Sequence, residues 1–78
     1  MNFEFLSIKR DNEIAYLTLS RPECGNALNL SLMREITAAA HSFKYDTETR
    51  VIVFKGEGKN FCVGADLKDK ERWKSGES

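Results

Sequence analysis

The segment Phe61-Cys62-Val63-Gly64-Ala65-Asp66-Leu67 lies between the wholly apolar run Val51-Ile52-Val53-Phe54 and a charged stretch, Leu67 to Lys74, with the composition of a short helix. A Gly-Ala pair at the mouth of a helix leaves backbone N–H groups uncovered and able to point at a ligand oxygen. That is the geometry that holds a developing oxyanion. The apolar run has no polar alternation, as expected of an interior strand covered on both faces. Between them, Gly56-Glu57-Gly58-Lys59-Asn60 reads as a turn-rich loop. Its Gly56-x-Gly58 pair is too short and wrongly placed for a phosphate loop.

Upstream, Phe3 to Ile8 and Ile14 to Leu19 are aromatic and β-branched, with Asp11-Asn12 between them. Asp and Asn tolerate the left-handed backbone of a tight hairpin, so two antiparallel strands are expected. In the second strand Ile14, Tyr16 and Thr18 alternate with Ala15, Leu17 and Leu19, and both faces are largely apolar. Pro22 ends the ladder because it has no N–H to donate. Asn29 then serves as an N-cap, with Leu28 and Met33 placed to staple across it. The helix that follows carries Leu32, Ile36, Ala39, Ala40 and Phe43 as one core-facing stripe, with Arg34, Glu35, His41 and Lys44 mostly outside it. The expected order is strand, strand, helix, strand, loop, short helix: one ββα unit and the start of a second. Ser75 to Ser78 reads as a flexible end.

Taken with Arg21-Pro22-Glu23-Cys24-Gly25-Asn26-Ala27-Leu28-Asn29, the 61–67 segment resembles the enoyl-CoA hydratase/isomerase (crotonase) family. The resemblance implies an α/β fold, the N-terminal part of a spiral of ββα units, over residues 1–78. It also implies an acyl-CoA thioester substrate, with coenzyme A entering as part of that substrate and no covalently bound cofactor. The family stabilises an enolate or related oxyanion with two backbone N–H groups, the first carried by the residue after the motif's Gly, here Ala65. By the same resemblance, backbone atoms of Cys24, Asn26, Ala27 and Leu28 and of Val63, Gly64, Ala65, Asp66, Leu67 and Lys68 contact coenzyme A. Many relatives have Ala where this chain has Val63, whose bulk would narrow the adenine wall. Relatives continue into a Gly-rich stretch with the second N–H and then the acidic proton-transfer residues. The expected partner is therefore the C-terminal remainder of such an enzyme, as a separate chain or fragment, with a trimer or a dimer of trimers as the complete assembly. A non-catalytic, truncated module with a binding or assembly role is the competing reading.

Lys plus Arg and Asp plus Glu number twelve each, so there is no basic excess for a nucleic-acid or membrane-surface binder. A chain of 78 residues buries only about 60% of its unfolded surface, which makes an independent core marginal. The two cysteines form no disulfide framework, and no Cys/His spacing suits zinc, so the expected setting is a reducing cytosol and the expected metal content is none. Met1 to Phe5 lacks the features of a signal peptide, and no run approaches the roughly 20 apolar residues that span a bilayer. Cys62 has no base nearby in sequence and reads as a small apolar filler. Asp66 reads as a helix N-cap, and His41 as a solvated helix residue.

Overall fold

The computed structural model describes residues 2–68. Three strands form one sheet in the order β1-β2-β3: β1 (Leu6–Asp11), β2 (Ile14–Leu19) and β3 (Val51–Gly56). The helix α1 (Leu30–Ser42) lies between β2 and β3 in the chain. β1 pairs antiparallel with β2, from Leu6↔Leu19 to Asp11↔Ile14, and β3 runs parallel to β2, from Ile14↔Val51 to Leu19↔Gly56. This is the expected ββα unit followed by the first strand of the next, and the fold class is α/β as anticipated.

The first strand begins later than its apolar pattern suggested. Phe3 and Phe5 precede it and pack on the core from outside the ladder. The hairpin therefore turns at Asn12-Glu13 rather than at Asp11-Asn12, and Asn12 takes the left-handed conformation with φ 58°. The entering segment is fastened by Glu35, whose two carboxylate oxygens accept from the N–H groups of Glu4 and Phe5 at 2.9 and 2.8 Å. Glu35 thus ties the N-terminal segment to α1.

Ala15, Leu17 and Leu19 are buried beneath α1 with Leu6, Leu32 and Ala39, whereas Ile14, Tyr16 and Thr18 are half-buried on the opposite face. The period-two pattern of β2 meets the helical period of α1 at this layer. Leu17 and Leu32 are almost wholly shielded, and each contributes about 1.5–3 kcal/mol by leaving water. Asn29 caps α1 as expected, its Oδ1 accepting from the Leu32 N–H at 2.8 Å. Ala40, assigned to the stripe from spacing, is exposed, while Ile36 and Phe43 pack at the edge of the core.

Among the described residues β3 lies at the edge of the sheet, with Val51 51%, Ile52 41% and Phe54 47% exposed. Ile52 and Phe54 share the face of Ala15 and Leu17, but α1 sits over β1 and β2 and leaves them uncovered. Gly56, read as a turn residue, ends this strand, and a β-carbon there would lie 2.4 Å from the Phe61 carbonyl oxygen. The 60–61 backbone crosses directly over it, which only glycine permits.

The α1–β3 connection is held by Asp46. Its carboxylate accepts from the Thr49 hydroxyl, from the N–H groups of Glu48 and Thr49, and from Arg10, whose guanidinium sits 4.9 Å over the Phe43 ring. Thr49 first, then the two N–H groups and Arg10, hold the Asp46 carboxyl well below the usual carboxylate range. A carboxyl depressed in the folded state stabilises above its unfolded pKa, and that stability is lost as pH falls through the folded value. The melting temperature is therefore expected to fall progressively below about pH 4, more steeply than in an Asp46→Asn variant. Parallel Tm–pH profiles for the two proteins from pH 6 to 2 would overturn this.

Candidate functional site

The two segments singled out in the sequence meet in space. Arg21 follows β2 and opens a short 3-10 turn, Pro22–Cys24, with Pro22 at its first position. Gly25 and Asn26 then both take left-handed backbone, φ 61° and 58°, which folds the chain back so that the Asn26 N–H donates to the Arg21 carbonyl at 2.8 Å. A β-carbon on Gly25 would lie 2.9 Å from a methyl of the exposed Val63 side chain, and the left-handed φ favours glycine there.

Backbone hydrogen bonds then join this loop to 63–66. The Val63 N–H donates to the Gly25 carbonyl at 3.0 Å, the Leu28 N–H to the Gly64 carbonyl at 2.8 Å, and the Asp66 N–H to the Leu28 carbonyl at 3.0 Å. Leu28 and Ala65 face each other as an isolated parallel bridge. The Gly64–Ala65 peptide is planar and trans, so its C=O and N–H point in opposite directions. With the carbonyl turned to Leu28, the Ala65 N–H is turned away, and among the described residues it has no acceptor. Gly64 sits at φ 106°, a conformation L side chains rarely adopt.

Asn26 is fully buried and its amide is spent inside the chain: Oδ1 accepts from the Arg21 N–H at 2.7 Å, and Nδ2 donates to the carbonyls of Glu57 and Asn60 at 2.9 and 2.7 Å. Its side chain frames the loop. Arg21 is also buried, at 8% exposure. Its Nη1 donates to the Ala27 carbonyl at 2.6 Å; Nη2 reaches Asp66 Oδ2 at 3.2 Å and Cys24 Sγ at 3.5 Å; the Phe5 ring lies 5.4 Å from the guanidinium carbon. Asp66 Oδ1 accepts from the Lys68 N–H at 3.0 Å. That bond above all, with Arg21 adding to it, lowers the Asp66 carboxyl below its ordinary range. Asp66 thus caps the turn at Leu67-Lys68, and the rest of the helix expected to Lys74 lies outside the described residues, as do Ser75 to Ser78.

Of the ten residues expected to contact coenzyme A, the fold brings Cys24, Asn26, Ala27, Leu28, Val63, Gly64, Ala65 and Asp66 onto one pair of bonded loops, with Leu67 and Lys68 following at its end. Cys24, Val63, Ala65, Leu67 and Lys68 are exposed there, whereas Asn26 and Ala27 are buried. Cys62 is half-buried against the core, in keeping with its reading as a filler, and both cysteines stand as free thiols. Arg21 carries no role legible in the motif alone; the available signal is an Arg directly before a Pro at the end of a buried strand. Separate from these loops, a cleft of about 530 Å3 opens between β1 and the end of α1. Its Arg10 is committed to Asp46. Among the described residues no helix is long and apolar enough to cross a membrane, and no three His, Cys, Asp or Glu side chains gather to hold a metal ion.

The ββα unit superposes on the N-terminal region of crotonase-like α/β proteins. The enoyl-CoA hydratase/isomerase family profile matches residues 9–77, and the chain belongs to that family. It is 38% identical over 69 residues to a probable enoyl-CoA hydratase of Mycobacterium bovis, covering 88% of this chain and 27% of the relative. It is 36% identical over 72 residues to a trans-2-decenoyl-[acyl-carrier-protein] isomerase of Streptococcus mutans, covering 92% and 27%. The crystal structure of an enoyl-CoA hydratase from Mycobacterium tuberculosis superposes with a TM-score of 0.81 at 34% identity, over 87% of this chain and 31% of that one. An enoyl-CoA hydratase from Bacillus anthracis gives 0.83 at 30% identity, over 87% and 27%. The chain thus spans about a quarter of the length of the curated relatives it matches.

Proposed function

We propose that the chain forms the N-terminal part of an acyl-CoA-processing enzyme of the hydratase/isomerase type. In it, the 24–28 and 63–68 loops contact coenzyme A, and the Ala65 N–H is one of two donors to the thioester oxyanion. The orientation of that N–H, turned out of the Leu28 bridge, carries the reading. As a double bond alpha to the thioester is hydrated or moved, negative charge builds on the thioester oxygen. A donor already aimed at it lowers the barrier by about 3 kcal/mol without reorganising. The second donor and the proton-transfer groups come from the remainder of the fold, which also covers Val51, Ile52 and Phe54 in a trimer or dimer of trimers. The test is hydrogen–deuterium exchange of the complete protein with and without coenzyme A. Slowed exchange at 24–28 and 63–68 is the expected result. Ligand-dependent protection confined to other segments would overturn it, and no protection anywhere would favour a non-catalytic module.

A further inference from the structure

The buried guanidinium of Arg21 is connected to the Ala65 N–H through two peptide units in series. Arg21 Nη1 donates to the Ala27 carbonyl at 2.6 Å. The Leu28 N–H, on the other end of that same peptide, donates to the Gly64 carbonyl at 2.8 Å. The Ala65 N–H is the other end of that second peptide. Each trans peptide is a rigid plate with acceptor and donor on opposite edges, so fixing one edge aims the other. A cation at the head of such a chain also polarises each peptide in the direction that strengthens the last donor, because hydrogen bonds in series reinforce one another. The same guanidinium steadies the far side of the loop by binding Asp66 Oδ2, the residue after Ala65.

We propose that Arg21 is a positioning residue for the oxyanion, aiming and polarising the Ala65 N–H through the Ala27–Leu28 and Gly64–Ala65 peptides. The proposal rests on the assignment of Ala65 as an oxyanion donor. Arg21 is buried and its guanidinium is bonded within the chain, to Ala27, Cys24 and Asp66, so it acts through these contacts. Its buried position beside Phe5 and its two-pronged reach suit the planar fork of Arg and not the single point charge of Lys.

The experiment uses the complete enzyme and two variants: Arg21→Lys, and a backbone ester replacing the Leu28 N–H. The ester cuts the relay in its middle and keeps the Arg21 side chain with its Asp66 and Cys24 contacts, while the Ala27 carbonyl becomes a weaker acceptor, so it decides the matter if Arg21→Lys does not fold. Two readouts are taken: steady-state kinetics, and the infrared stretch of a 13C-labelled thioester carbonyl on a bound substrate analogue. Both variants are expected to lose part of the red shift seen in the native enzyme. kcat should fall roughly ten- to a hundredfold while KM changes little, the scale of a slightly misaimed catalytic group. An unaltered carbonyl shift and kcat in either folded variant would overturn the relay. If the native enzyme shows no red shift, or an ester at Ala65 leaves it intact, the assignment of Ala65 fails instead.

Discussion

An ester in place of the Ala65 amide should lower kcat for an acyl-CoA substrate by about a hundredfold or more in the complete enzyme, the effect of losing one oxyanion donor. The substitution swaps one N–H for an oxygen and leaves the side chain, and with it the exposed surface at Ala65, unchanged. It removes neither partner of the Leu28 bridge, which uses the Gly64 carbonyl and the Asp66 N–H, and weakens only the Gly64 carbonyl as an acceptor. Ala65→Pro deletes the same donor but also constrains φ, so the ester is the cleaner comparison. KM should move far less than kcat, since the charge that needs the donor develops mainly in the transition state. Turnover at the native rate by a correctly folded ester variant would remove Ala65 from the reaction.

Asn26→Ala should be the most destabilising single change in the loop pair. It strips partners from the Arg21 N–H and from the carbonyls of Glu57 and Asn60, and it places an alanine at φ 58°. Orphaned buried groups cost about 1–3 kcal/mol each. Left-handed backbone adds about 1–2 kcal/mol for a residue other than Gly or Asn. Water can reach part of the Glu57 and Asn60 carbonyls, so the expected loss is roughly 3–5 kcal/mol, on the scale of a broken buried hydrogen-bond network. Denaturant unfolding of the complete protein measures it. Asn26→Gly separates the two causes by restoring the backbone freedom while still losing the amide. A loss below about 1 kcal/mol for Asn26→Ala would mean that the loops are held chiefly by their backbone bonds.

Both experiments bear on a site of which the sequence discloses one half. Gly64-Ala65-Asp66 stands out because a Gly-Ala pair ahead of a charged stretch is a local pattern. Its counterpart at 21–28 could be quoted as a motif, but nothing in its residue types says that Arg21 and Asn26 are buried. Both are residue types usually found at the surface. What buries them are partners far along the chain: Asp66 stands 45 residues from Arg21, and the Asn60 carbonyl 34 from Asn26. Gly56 was equally opaque, since a glycine demanded by a crossing backbone looks in sequence like a glycine demanded by a turn.

Local chemistry accounts for the elements themselves. Asn29 begins α1 because its side chain bonds an N–H three residues ahead; β2 alternates because a pleated strand alternates; Asn12 and Gly64 sit at positive φ because those residue types tolerate it. Interactions of this kind reach a few residues and are therefore written in the order of the chain. The parallel pairing of β3 and the direction of the Ala65 N–H are of another kind. A peptide plane can turn either way about its flanking bonds, and the turn taken here is set by the Leu28 N–H holding the Gly64 carbonyl. That contact exists only once α1 has carried the chain back to lay β3 beside β2. The order of residues supplies the donor, and the folded sheet and its loops choose where it points.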